Sequence, residues 1–216
     1  FHCDAVQAVG KIPIDVKKLN VDLLALSGHK IYAPKGIGAL YIRRGIKLRP
    51  LIHGGHQEKN RRAGTENVIG IVALGKACEI ALRDMEKESE RVLKLRKRLE
   101  EGILKTIKDV SINGHPEKRI PNTTNISFHY IEGESLILNL DLEGIAASTG
   151  SACTSGTLEP SHVLMAMGVD PVLAQGSVRF SLGKWTTEED IDRVLEVLPS
   201  IVERLRSMSP LYRRNR

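Results

Sequence analysis

The chain has 216 residues, of which 41% are hydrophobic and 27% are charged, and its formal net charge is +6. This length and apolar content suffice for one large core or two modest ones, and they exclude a disordered chain. No run approaches the roughly 20 uninterrupted apolar residues of a membrane span, and we expect no signal peptide. Three irregularly spaced cysteines do not form a disulfide framework, so we predict a soluble cytoplasmic protein.

The positive charge is concentrated at the end of the chain. After Glu203 there is no acidic residue, and the basic residues that follow are Arg204, Arg206, Arg213, Arg214 and Arg216. Without these arginines the chain is nearly neutral. We interpret this end as a solvated tail or a strip that docks a protein, and we expect no direct binding of nucleic acid.

The first 45 residues have the pattern of an α/β sheet. Residues 1–4 resemble the end of a strand, and strand-like apolar runs follow at residues 21–27 and 37–42. Two or three strands leave sheet edges uncovered. We therefore expect further chain, or another subunit, to complete this sheet.

A helical pattern comes next. Between residues 68 and 107 apolar side chains recur every three or four positions, with charged side chains between them. The charged segment at residues 83–91 is typical of a boundary between domains. We predict two domains, residues 1–87 and residues 88–216.

The second predicted domain mixes strands and helices. Its predicted elements are a strand at 125–130, helices at 135–142 and 161–167, and a strand at 178–182. In the final helix, Thr186 and Glu189 have the spacing of a capping box, and Pro199 predicts a kink.

The turn after the second strand carries chemically informative residues. Lys30 follows a strand that ends in Ser27, and ligands bind at the carboxyl ends of strands in open α/β sheets. A desolvated lysine amine can form a Schiff base with an aldehyde. Ser27 and His29 offer donors for a phosphate, and Asp4 can keep a pyridine nitrogen protonated, as pyridoxal phosphate chemistry requires. Taken singly, Asp4 and His29 are equally typical of turns and helix caps.

The loop around Cys153 is the second informative segment. Residues 146–157 contain no large apolar side chain, so the loop has little to anchor it by burial. A thiol there can serve both a cofactor and a surface partner, although composition alone is equally compatible with an ordinary loop cysteine. Cys3 and Cys78 have the settings of structural cysteines, and we expect no metal site because the short paired spacing of metal ligands is missing.

Five motifs resemble those of the NifS/IscS-type cysteine desulfurases, which are pyridoxal 5′-phosphate enzymes of aminotransferase class V. The motifs are residues 2–7 (HCDAVQ), 27–36 (SGHKIYAPKG), 62–67 (RAGTEN), 148–156 (STGSACTSG) and 178–183 (VRFSLG). The resemblance implies the α/β fold type I of these transferases, here as an incomplete large-domain sheet with helices and a smaller C-terminal α+β domain. It also implies conversion of L-cysteine to L-alanine.

The resemblance assigns the cofactor-binding residues. Lys30 corresponds to the lysine that bonds covalently to pyridoxal 5′-phosphate. Asp4 corresponds to the partner of its pyridine nitrogen, and Gln7 to the partner of its phenolic oxygen. Ser27 and His29 correspond to ligands of its phosphate.

The resemblance also assigns substrate and partner functions. Arg179 corresponds to the clamp of the substrate carboxylate, a role suited to its bidentate fork. Cys153 corresponds to the nucleophile that becomes a persulfide and passes sulfur to an acceptor, such as an iron–sulfur scaffold, or to thiolation. Thr65 corresponds to a threonine that reaches the phosphate of the other subunit, which implies a homodimer.

The resemblance covers only about the second half of the usual length of the family. The first half supplies an imidazole stacked on the cofactor, a phosphate turn and an asparagine near the ring. We therefore expect these 216 residues alone to be inactive, and to need that half in a longer parent or as a complementary N-terminal chain. The alternatives are a selenocysteine lyase, another class V aminotransferase-like enzyme, or a non-catalytic half that presents Cys153 to a scaffold.

Overall fold

The computed structural model describes residues 1–149 and 160–213. The chain divides into two compact units, Phe1–Ser89 (unit 1) and Glu90–Arg216 (unit 2). Both combine strands with helices. No helix in the described residues has the length and apolar character needed to cross a membrane.

Unit 1 contains a three-stranded sheet. Its strands are β1 (His2–Asp4), β2 (Leu23–Ser27) and β3 (Gly38–Ile42), in the order β1-β2-β3. β1 and β2 are parallel, whereas β2 and β3 are antiparallel. Because β1 and β2 are parallel, they end at the same edge of the sheet, with Asp4 paired to Ala25 and Ser27 following on β2.

Two small apolar clusters hold unit 1. One consists of Ala5, Val21 and Leu24 beside the sheet. The other joins Ile31 to Leu74 and Ala77, which lie on the long helix α2 (Val68–Thr106). A single turn, α1 (Gln57–Asn60), precedes this helix. The charged segment 83–91 is helical and belongs to α2.

Unit 2 contains a four-stranded antiparallel sheet. Its strands are β4 (Val110–Asn113), β5 (Thr123–Phe128), β6 (Ser148–Thr149) and β7 (Ser177–Ser181), in the order β4-β5-β7-β6. Side chains alternate between the two faces. One face carries Ile126, Phe128 and Val178, and the opposite face carries Asn125 and Arg179.

The helices of unit 2 bury the apolar face of this sheet. They are α3 (Gly133–Leu142), α4 (His162–Ala166), α5 (Pro171–Gln175), α6 (Glu188–Met208) and α7 (Pro210–Arg213). Leu99 and Ile103 of α2 belong to the same core, together with Leu136 of α3 and Leu198 of α6. These side chains are at most 1% exposed.

The start of α6 differs from the prediction by one residue. The capping box is formed by Thr187 and Asp190, not by Thr186 and Glu189: the Thr187 hydroxyl accepts from the Asp190 N–H, and the Asp190 carboxylate accepts from the Thr187 N–H. Thr186 is engaged elsewhere, because its hydroxyl accepts the Gly183 N–H at 2.9 Å. The helix continues through Pro199.

The interpretation of Arg206 as part of a basic tail is wrong. Arg206 is 5% exposed, and its guanidinium donates to the carbonyls of His129 and Asp109. It also lies 5.7 Å from the centre of the Tyr212 ring. Burial lowers the pKa of Arg206. This arginine therefore belongs to the interior of unit 2.

Candidate active site

The shared edge of β1 and β2 carries the first group of predicted site residues. Asp4 ends β1, and its carboxylate accepts the Val6 N–H at 2.9 Å, which turns the chain after the strand. Gln7 follows in this turn with an exposed side chain. Ser27 ends β2 at the same edge.

A 3-10 turn, Gly28–Ile31, places His29 and Lys30 directly after Ser27. The Ser27 hydroxyl lies 2.8 Å from Nδ1 of His29. A side chain on Gly28 would lie 2.9 Å from Cγ2 of Ile37, so glycine permits this turn to approach the start of β3. His29 and Lys30 are exposed, so both are accessible to a ligand.

An open depression of ≈ 420 Å³ adjoins the Ser27–His29 pair. Its lining residues are Ser27, His29, Lys35, Gly36, Ile37 and Gly38. Asp4, Gln7 and Lys30 lie outside this lining. A hydroxyl, an imidazole and an ammonium around one depression suit a phosphate group.

Lys11 adds a second positive charge near Lys30. Burial lowers the pKa of Lys11, and the positive charge of Lys30 lowers it further. The neighbouring Gly10 approaches Ile31 so closely that a side chain there would lie 2.9 Å from its Cγ2. Two amines that interact electrostatically favour an anionic ligand nearby. Lys11 was not among the predicted site residues, because nothing in the local sequence pattern links it to Lys30.

Thr65 lies in the loop between α1 and α2, and it is exposed. The preceding Gly64 has a φ of +101°, and its carbonyl accepts from the Arg62 guanidinium at 2.7 Å. Thr65 is thus presented at the surface of unit 1.

Arg179 lies on β7 in unit 2, opposite Asn125 of β5 and Ser148 of β6. Its Nε is buried and has no hydrogen-bond partner among the described residues. A buried, unpartnered guanidinium nitrogen is costly unless a ligand satisfies it. Arg179 therefore has the properties expected of a residue that binds an anion.

Cys153 lies outside the described residues, so its predicted role is untested. The strand that leads toward it, β6, is described: Ser148 pairs with Arg179 and Thr149 pairs with Val178. The other two cysteines are free thiols with intermediate exposure. Within residues 1–149 and 160–213, no group of His, Cys, Asp and Glu side chains is arranged to hold a metal ion.

The structure thus places Asp4 and Ser27 at the ends of β1 and β2 in unit 1, and Gln7, His29 and Lys30 in the turns that follow these ends. Arg179 and the strand before Cys153 belong to unit 2. These site residues of both units lie within the sequence motifs from which the family was predicted. Residues 1–194 match the aminotransferase class-V family.

The chain belongs to the aminotransferase class-V family.

Its relatives confirm the predicted resemblance to the NifS/IscS type. It is 62% identical over 211 residues to "Cysteine desulfurase IscS" of Methanosarcina thermophila, covering 98% of the chain and 52% of that relative. It is 56% identical to "Cysteine desulfurase NifS" of Azotobacter vinelandii, covering 100% of the chain and 54% of that relative. The chain therefore spans about half the length of the curated relatives it matches.

Solved structures confirm the predicted fold class. A "NIFS-LIKE PROTEIN" superposes with a TM-score of 0.85 at 43% identity, over 94% of this chain and 52% of that one. A NifS-like protein from Rickettsia africae gives the same TM-score at 35% identity, over 94% and 53%. This class V aminotransferase chain thus has a mixed α/β structure that matches about half of each of these NifS-like chains.

Proposed function

We propose that this chain carries part of a pyridoxal 5′-phosphate-dependent cysteine desulfurase, which converts L-cysteine to L-alanine and transfers the sulfur to an acceptor. The observation that carries the proposal is the shared edge of β1 and β2, at which Asp4 ends one strand while Ser27, His29 and Lys30 follow from the end of the other. The similarity to cysteine desulfurases supports the assignment of substrate.

The residues at this edge fit pyridoxal 5′-phosphate. When bound, the cofactor supplies an aldehyde that captures an amino acid and a protonated ring that withdraws electrons. Lys30 offers the amine that bonds to the aldehyde. Asp4 offers a carboxylate for the pyridine nitrogen, and Gln7 offers an amide for the phenolic oxygen.

The phosphate end is served by Ser27 and His29. When the Ser27 hydroxyl donates to Nδ1 of His29, the other ring nitrogen, Nε2, carries the proton and is free to donate to an anion. Lys11 and Lys30 are close enough for their positive charges to interact, and both charges would attract an anion. Hydrogen bonds to a charged phosphate are stronger than hydrogen bonds between neutral groups, so these donors contribute substantially to cofactor binding.

In unit 2 we assign the substrate carboxylate to Arg179. Its guanidinium matches a carboxylate with two parallel hydrogen bonds. The lack of a partner for its Nε among the described residues supports this assignment.

Cys153 completes the proposed reaction. Its thiolate attacks the sulfur of L-cysteine, so an S–S bond forms while the C–S bond of the substrate breaks. The electron pair of the broken bond goes to the substrate carbon, which takes up a proton and becomes the methyl group of L-alanine. The sulfur stays on Cys153 as a persulfide until an acceptor protein, such as an iron–sulfur scaffold, removes it.

We further propose a cytoplasmic homodimer in which Thr65 reaches the phosphate bound by the other subunit. The exposed position of Thr65 in its loop supports this role. The relatives are about twice as long as this chain, so the proposed enzyme also needs the segment that corresponds to their first half.

Replacement of Cys153 by Ala in the complete enzyme tests the sulfur chemistry. We expect sulfide release from L-cysteine to be lost while the visible absorbance of the bound cofactor stays, because the thiol is needed only for the attack on sulfur. Cys78→Ala is the matched control and keeps the activity. Sulfide release at the parental rate in the Cys153→Ala enzyme would contradict the assignment.

Replacement of Lys30 by Ala tests the cofactor site. We expect the absorbance band of the covalently bound cofactor to disappear, whereas the control Lys18→Ala retains it, since Lys18 is an exposed lysine in a different turn. An unchanged spectrum in Lys30→Ala refutes the role of this lysine. Parallel assays with L-selenocysteine and L-alanine separate the desulfurase from the alternative activities.

A further inference from the structure

A row of polar side chains crosses one face of the unit 2 sheet at Arg179. The strand register places Asn113 opposite Asn125, Asn125 opposite Arg179, and Arg179 opposite Ser148. Residues directly opposite each other in antiparallel strands share a face, with Cβ atoms about 4.5–5.5 Å apart. These four side chains are therefore neighbours along a line across the sheet.

Asn113 fixes the orientation of the Asn125 amide. The Nδ2 of Asn113 donates to the Oδ1 of Asn125 at 2.6 Å and to the Oγ of Ser127 at 2.9 Å. The oxygen of the Asn125 amide is thus engaged on the β4 side. The Nδ2 of Asn125 is the donor end of this amide, and no described residue accepts a hydrogen bond from it.

The Nε of the neighbouring Arg179 guanidinium also has no hydrogen-bond partner among the described residues. No carboxylate among the described residues forms an ion pair with Arg179, and its Nε is buried. Both groups are hydrogen-bond donors, so they cannot satisfy each other. An acceptor with two oxygens satisfies both, and a carboxylate is the acceptor that matches an arginine fork.

We propose that Asn125 is a second carboxylate-binding residue, which donates from Nδ2 to the same carboxylate that Arg179 binds. Asn113 is its positioning residue, because it holds the oxygen end of the Asn125 amide. The proposal rests on the proposed function, in which this carboxylate belongs to L-cysteine. It adds a specificity determinant from β5 to the arginine on β7.

The binding test uses the side-chain ¹H–¹⁵N NMR signals of Asn125 Nδ2 and Arg179 Nε in the purified protein. L-Alanine is the probe, and ethylamine, which is L-alanine without its carboxylate, is the control ligand. We expect both signals to move together with L-alanine and neither to move with ethylamine. Asn125→Ala is expected to weaken L-alanine binding about tenfold, since a hydrogen bond to a charged group is lost.

Further variants separate binding from folding. Asn125→Asp keeps the size of the side chain but replaces its donor with a negative charge, so we expect a loss at least as large as in Asn125→Ala. Asn113→Ala is expected to weaken binding about threefold, because the Asn125 amide is no longer held. Asn139→Ala, on α3 in the same unit, is the matched control and leaves binding unchanged. Thermal unfolding identifies any variant that fails to fold.

Kinetics of the complete enzyme give a second measurement. Asn125→Ala is expected to raise KM for L-cysteine about tenfold while kcat changes less than about twofold, as for a group that binds substrate and transition state equally. A purely structural residue lowers the amount of active enzyme and leaves KM unchanged.

The outcomes distinguish the inference from the proposed function. A shift of the Arg179 signal alone, with wild-type affinity in both Asn125 variants, overturns the inference and leaves the proposed function standing. The absence of any shift at Arg179 and Asn125 overturns the carboxylate site as a whole. A third outcome is that both signals shift but the complete enzyme releases no sulfide from L-cysteine. That outcome refutes the proposed function and supports the carboxylate subsite.

Discussion

The two units differ in how they bury their apolar residues. Unit 2 has one continuous core, in which Phe128 and Leu136 are both 0% exposed. Unit 1 has two separate clusters of three buried residues each, and its Leu51 and Ile69 are 93% and 84% exposed. Unit 2 also exposes single apolar side chains, such as Leu142 at 85%, but its buried residues form one cluster. Unit 2 is therefore stabilised by one large core, whereas unit 1 presents the proposed cofactor residues beside two small clusters.

The largest expected effect is on the core of unit 2. Phe128→Ala removes a fully buried ring between the sheet and its helices, and we expect a loss of about 3–5 kcal/mol in the free energy of unfolding. Leu24→Ala in unit 1 is the comparison, and we expect a smaller loss because its small cluster collapses more easily. Hydrogen exchange measures each unit separately. A larger loss for Leu24→Ala would break the contrast between the units.

A buried group of charges in unit 2 gives the next largest effect. Glu100 lies between Arg119, whose Nη2 is 2.8 Å from its Oε1, and Arg96, whose Nε is 3.5 Å from the same oxygen. Glu100→Gln leaves both guanidiniums without their anion, so we expect a loss of about 3 kcal/mol.

The neighbouring Glu101 provides the control for this variant, because it is exposed. Glu101→Gln is expected to change the free energy of unfolding by less than about 0.5 kcal/mol. Denaturant unfolding measures both variants. Equal effects would show that the network around Glu100 contributes no more than a surface charge.

The start of α6 offers an intermediate effect that also tests its register. Thr187→Ala removes the hydroxyl that accepts the Asp190 N–H, and we expect a loss of about 1 kcal/mol. Thr186→Ala removes only an acceptor in the preceding turn, so its expected loss is smaller. The midpoint of thermal unfolding is measured for each variant. A larger decrease for Thr186→Ala than for Thr187→Ala contradicts the observed cap.

The smallest effect concerns Lys11 in unit 1. Burial and the charge of Lys30 lower its pKa, so folding disfavours its charged form. Lys11→Met is therefore expected to stabilise unit 1 by about 0.5 kcal/mol or less at neutral pH.

The pH dependence of Lys11 has a defined sign. Between its lowered folded pKa and the ordinary pKa of lysine, the unfolded chain binds more protons, so the stability of the parent protein rises with pH in this window. The advantage of Lys11→Met accordingly disappears at alkaline pH. Hydrogen exchange in unit 1 at several pH values measures it. An advantage that grows with pH contradicts the account.

Local patterns predicted many of the elements with small shifts at their ends. The predicted strand at residues 125–130 appears as β5 (Thr123–Phe128), and the helical period from residue 68 appears as α2. β4 and α5 were not among the predicted elements. The capping box shows a different limit: adjacent threonines, each with an acid three residues later, fit the pattern equally well.

Within the candidate site, the order and identity of the motifs predicted Asp4, Ser27 and Lys30, which the parallel pairing of β1 and β2 places at one edge. The same reasoning did not find Asn125. In its strand it is one polar residue among several, and its significance depends on β7, a strand more than 50 residues later in the chain.

The sequence by itself determined the family, the types of the main elements and the chemistry of the motif residues, since these depend on residues close together in the chain. Tertiary structure alone decided the strand order β4-β5-β7-β6, the burial of Arg206 and the neighbourhood of Asn113, Asn125 and Arg179. The physical reason is that pairing and burial depend on which distant segments pack together, and a local pattern of polar and apolar residues does not specify that choice.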